Sequence, residues 1–74
     1  MPHMEHTQTV GQRIKAKRVA RKLTQRKLAE AAGVSLPYLS RIESGLRQPP
    51  LDTLERIATG LGCRVHSLIP ARAP

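Results

Sequence analysis

The stretch "GVSLPYLSRIESG", residues 33–45, reads as a helix with a proline near its front, preceded and followed by glycine. Pro37 costs such a helix little, because first-turn N–H groups have no intrahelical acceptor in any case. A residue before proline avoids the α region, which keeps two starts open: Leu36 as effective N-cap with Pro37 first in the helix, or Ser35 as cap with Leu36 slightly strained. On a 100° wheel with Leu39 and Ile42 turned inward, Pro37 and Arg41 point away from the core. Ser40 and Ser44 lie beside them, Tyr38 sits on one flank, and Leu36 reaches out from the first turn.

Working outward, Thr24 is a good N-cap for a helix over residues 25–32, which has Leu28, Ala29 and Ala32 on one side. Gly33 suits the left-handed residue that ends it. Only Gly33, Val34 and Ser35 separate this helix from the next, and two short helices joined by such a glycine-containing turn form a helix-turn-helix. Val34 would pack between them and set their angle. Upstream, Val10 and Ile14 share one face of a helix running from about residue 9 to 22. Downstream, "LRQPP" is a turn-forming connection. A fourth helix over about 51–59 buries Leu54, Ile57, Ala58 and Leu61 and stops at Gly60 and Gly62. A short fifth helix near 65–69 ends at Pro70. The expected architecture is all-α with five short helices over residues 9–69, between tails at 1–8 and 70–74.

Seventy-four residues make one small domain, and a chain of that size buries only about 60% of its unfolded surface. The core must be aliphatic, since Phe and Trp are absent and Tyr38 is the lone aromatic residue. One cysteine rules out an intramolecular disulfide and points to a reducing, cytoplasmic setting. No apolar run approaches the roughly 20 residues of a membrane span. Thirteen Lys and Arg against five Asp and Glu give a net charge of +8. Eight of the thirteen lie between Arg13 and Lys27, a block that suits a polyanion. An enzyme is not expected: paired carboxylates and a phosphate-cradling glycine loop are missing, and there is little room for a pocket. His3 and His6 lack further ligands, so no metal or other cofactor is expected.

"TQRKLAEAAGVSLPYLSRIESGLRQPP" followed by "LDTLERIATGLGC" resembles the lambda-repressor-like, Cro/C1-type (XRE) helix-turn-helix domain. The shared pattern is T-Q-x-x-L-A-x-x-x-G-V-S, then L-S-x-I-E-x-G, a proline, and L-x-x-I-A-x-x-L, covering roughly residues 10–69. The resemblance implies a five-helix module that binds double-stranded DNA, regulates transcription and works as a two-fold homodimer. In that setting the third helix enters the major groove. Leu36, Pro37, Tyr38, Ser40 and Arg41 become the base-reading candidates. Arg41 can bond guanine O6 and N7, and Leu36 and Pro37 offer apolar surface to thymine methyls.

By the same resemblance, Gln25 at the start of the second helix binds phosphate, with Arg26, Ser44, Arg13, Lys17 and Arg47 supplying further backbone contacts. It also pairs Arg18 with Glu43 as a structural ion pair. The dimer surface is expected on the last helix, from Val65, Leu68 and Ile69. Pro50 stands where the family commonly has a capping Ser or Thr, Arg64 stands in place of another small polar cap, and Cys63 falls at a core position. An antitoxin or coactivator-type module gripping a protein partner as well as DNA is the rival expectation.

Overall fold

The computed structural model describes residues 8–70 of the chain. His3 and His6, and most of both expected tails, lie outside the described residues. Four α-helices follow one another: α1 Val10–Ala20, α2 Gln25–Ala32, α3 Leu36–Ser44 and α4 Leu51–Leu61, with a 3₁₀ turn at Val65–Leu68. The fold is all-helical among these residues.

Local chemistry sets most of the boundaries. Thr9 and Gln12 form a reciprocal capping box at the head of α1: the Gln12 amide donates to Thr9 Oγ1 at 3.1 Å, and the Thr9 amide to Gln12 Oε1 at 2.9 Å. Thr24 Oγ1 accepts from the Lys27 amide at 3.0 Å and opens α2. Ser35 Oγ accepts from the Tyr38 amide at 3.2 Å. Of the two starts open for α3, the molecule therefore uses Ser35 as cap and Leu36 as first helical residue. Pro50 opens α4 without any side-chain cap, and Asp52 sits in that first turn facing the helix dipole.

All four helices close in one way, with an amide bonding back to the carbonyl five residues earlier. The pairs are Leu23 to Arg18, Val34 to Ala29, Leu46 to Arg41 and Cys63 to Ala58, at 2.9–3.0 Å. The residue before each donor is left-handed. It is glycine at 33, 45 and 62, but Lys22, at φ 59°, at the end of α1. Gly60, expected to stop α4, lies inside it, and Gly62 ends it. The fifth helix is a 3₁₀ turn of four residues, since Arg64 provides no side-chain cap and Pro70 follows closely.

Seven side chains are fully enclosed: Ile14, Leu28, Leu39, Ile42, Ile57, Leu61 and Leu68. Val10, Leu23, Val34, Tyr38, Cys63 and Val65 pack against them while staying partly exposed. Cys63, expected in the core, is thus at its margin. α2 packs mainly on α4, and α1 on α3. Gly11 makes the second contact possible, because a Cβ there would fall on the Ile42 carbonyl oxygen.

Candidate nucleic-acid interface

The buried edge of α3 is fixed by a polar junction. Arg18 Nε donates to Glu43 Oε2 at 2.7 Å and Arg18 Nη2 to Oε1 at 3.1 Å, a bidentate pair joining α1 to α3. Gln25 Nε2 donates to the same Oε1 at 3.0 Å, bringing in the first residue of α2. Arg18 Nη1 donates to the Leu23 carbonyl oxygen at 2.8 Å, tying down the α1–α2 connection. The carboxylate is only 3% exposed, yet it accepts from three donors, which is what keeps a buried charge tolerable.

With that edge held, the opposite edge of α3 is free. Pro37, Ser40, Arg41 and Ser44 are exposed and Leu36 is half-buried. Tyr38, expected to read bases, packs against the core cluster. Ser44 Oγ donates to the Arg41 carbonyl oxygen at 3.1 Å. Beside this edge, a cleft of about 190 Å³ is lined by Lys15, Gln25, Ser40, Glu43 and Ser44. Lys15 was not among the expected contacts. Its signal was available, since it precedes Arg18 by three residues and so lies on the α1 face that meets α3.

The other expected backbone contacts divide. Arg26 and Arg47 are exposed and Lys17 half-buried. Arg13 is turned to the far side, where its Nε donates to the Ser67 carbonyl oxygen at 3.1 Å. Gln25 spends one amide proton on Glu43 instead of pointing wholly outward. The expected dimer surface is corrected more sharply: Leu68 is 0% exposed and has no surface to offer a partner. Val65 packs against the core, and Ile69 alone of the three is substantially exposed. Further apolar surface lies at Val19 on α1 and at Leu46 and Leu51, on the α3–α4 connection and the start of α4.

A short turn between two capped helices, the second buried on one edge and bare on the other, has a counterpart among known proteins: the helix-turn-helix family model matches residues 14–68. The chain belongs to the Cro/C1-type helix-turn-helix family. This helix-turn-helix chain is 52% identical to the immunity repressor protein of Bacillus phage phi105 over 61 residues, covering 82% of the chain and 42% of that protein. It is 41% identical to the regulator SinR of Bacillus subtilis over 61 residues, 81% of the chain and 55% of SinR. It therefore spans about half the length of these relatives.

Among solved structures, SinR in complex with DNA superposes with a TM-score of 0.77, covering 81% of this chain and 97% of that one. The P22 c2 repressor in complex with a synthetic operator gives 0.79 at 32% identity, covering 85% and 96%. SinR has also been solved in complex with the SinI protein.

Proposed function

We propose that this helix-turn-helix chain binds operator DNA sequence-specifically and regulates transcription, with α3 in the major groove. The observation that carries this is the division of α3 into a buried edge clamped through Glu43 and an exposed edge carrying Arg41. A helix held in that way presents its outward side chains at a fixed angle, which base reading requires. The DNA-bound state of two relatives supports the same reading. Arg26, Lys15, Lys17 and Arg47, with the first-turn amides of α2, are the phosphate contacts that flank it. The chain acts as a two-fold dimer in the cytoplasm, using the exposed Ile69 with Leu46 and Leu51, and the two recognition helices lie about 34 Å apart on one face of DNA.

Two measurements test this. Binding to a selected duplex should weaken steeply with salt. A dimer neutralising roughly 6–10 phosphates loses about 10³–10⁵ in affinity between about 50 and 200 mM. Sites selected from a random pool should carry a two-fold repeat. A nearly flat salt response would point to a protein as the target, the kind of partner SinR has in SinI, and a monomer in the bound complex would remove the dimer.

A further inference from the structure

We infer that α3 reads each half-site as a guanine with a thymine no more than two base pairs away. This rests on the proposed DNA reading and adds its chemical content. The inference comes from what each side chain has left to offer. Glu43 has its carboxylate committed to Arg18 and Gln25, so it cannot accept from cytosine N4. Tyr38 packs against the core, and the Ser44 hydroxyl is bonded to the Arg41 carbonyl. Ser40 is exposed beside the cleft it shares with Lys15 and Gln25, and a serine hydroxyl bonds to more than one base without discriminating. α3 contains no Asn or Gln, the residues whose amides match adenine N6 and N7.

Three side chains are left that discriminate between bases: Leu36, Pro37 and Arg41. Arg41 carries the only strong donors among them, and its guanidinium matches guanine O6 and N7. Leu36 and Pro37 have no polar side-chain atom, and the one apolar group on the major-groove floor is the thymine C5 methyl. Pro37 and Arg41 are four residues apart, which is about 6 Å along a helix. Base pairs stack at about 3.4 Å. Long helical side chains lean back toward the N-terminus, which brings the arginine head closer to the proline. The two contacts therefore fall within two base pairs.

The test uses the full chain and changes the DNA, so that folding is not at stake. After site selection from a random duplex pool, each thymine of the half-site is replaced by deoxyuridine, which removes only the methyl. Each guanine is then replaced by 7-deazaguanine, which removes only the N7 acceptor. One thymine within two base pairs of a sensitive guanine should lose roughly fourfold in affinity as deoxyuridine, the worth of one buried carbon. That loss should shrink in Pro37→Ala or Leu36→Ala. The 7-deazaguanine loss should vanish in Arg41→Ala. A selected site whose sensitive positions are adenine or cytosine, or a site indifferent to both substitutions, overturns this inference while DNA binding stands. Absence of any DNA binding overturns it together with the proposed function.

Discussion

Where α1 meets α3, a glycine lies against a backbone carbonyl and a buried carboxylate is held by Arg18 and Gln25. Where α2 meets α4, the contact is aliphatic, with Gly60 against the Leu28 methyl and Ala31. The outer surfaces differ as well. The first side carries Lys15, in the cleft beside α3, and the open edge of α3. The second carries Asp52 and Glu55 beside Arg56 along a groove of about 550 Å³. Apolar burial stabilises without direction, whereas a bidentate ion pair fixes an angle. The angle of α3 sets what its outward edge can reach, and the directional contacts are placed there. A buried ion pair adds little stability over well-packed hydrocarbon, so its presence at α3 reflects positioning.

The comparison breaks most severely at Arg18. Arg18→Ala strands the Glu43 carboxylate with Gln25 alone and is expected to cost about 3–5 kcal/mol, most of the stability of a small domain. Replacing both partners, Arg18→Met with Glu43→Leu, should recover at least half of that in denaturant titrations. If the double variant is no more stable than the single one, the stranded charge is not the cause.

The two close-contact glycines separate the sides next. Gly11→Ala drives a methyl into the Ile42 carbonyl, which the helix backbone cannot yield, and should cost about 3 kcal/mol. A Cβ at Gly60 meets the Leu28 methyl at 3.1 Å and the Ala31 methyl at 3.2 Å. The Leu28 methyl ends a flexible side chain and can give, the Ala31 methyl moves only with its backbone, and the gain in helix propensity offsets part of that strain, so Gly60→Ala should cost about 1 kcal/mol. Equal losses at the two positions would show that the α1–α3 contact is no more rigid than the other.

Arg41→Ala acts on function without touching either packing surface. Stability should hold within about 0.5 kcal/mol, while affinity for the preferred duplex falls by about 1–3 kcal/mol and one guanine per half-site loses its preference. Loss of the fold in thermal melts would mean that the outward edge is misassigned.

The smallest effect expected is a gain. Lys22 holds the left-handed position that glycine fills at the other three helix ends, so Lys22→Gly should add up to about 1 kcal/mol. The melting temperature would then rise by roughly 4–8 °C per kcal/mol, and a fall would mean that the lysine side chain stabilises α1.

The exposed edge of α3 was legible in "SLPYLSRIESG" because helical periodicity alone separates Leu39 and Ile42 from Pro37 and Arg41. The family resemblance named Arg18 and Glu43, and the two side chains do meet. Three other residues were read too simply. Gln25 was assigned outward to phosphate, yet its side chain also completes the shell of a carboxylate eighteen positions away. Tyr38 lies on the flank of the wheel, where periodicity does not decide between core and solvent. Leu68 looked like surface on a short terminal segment, but α1 and α4 converge on the 3₁₀ turn and enclose it.

Helix boundaries were therefore settled largely by the sequence. Thr24, Ser35 and Gly33 act within three to five residues of themselves, through hydrogen bonds and backbone sterics that need no tertiary partner. The same holds for the outward face of α3, which follows from the 3.6-residue repeat. The tertiary structure alone decided which polar groups were already spoken for and which apolar ones remained exposed. Both depend on segments far apart in the chain arriving at one place, as Arg18, Gln25 and Glu43 do, and local propensity carries no record of that meeting.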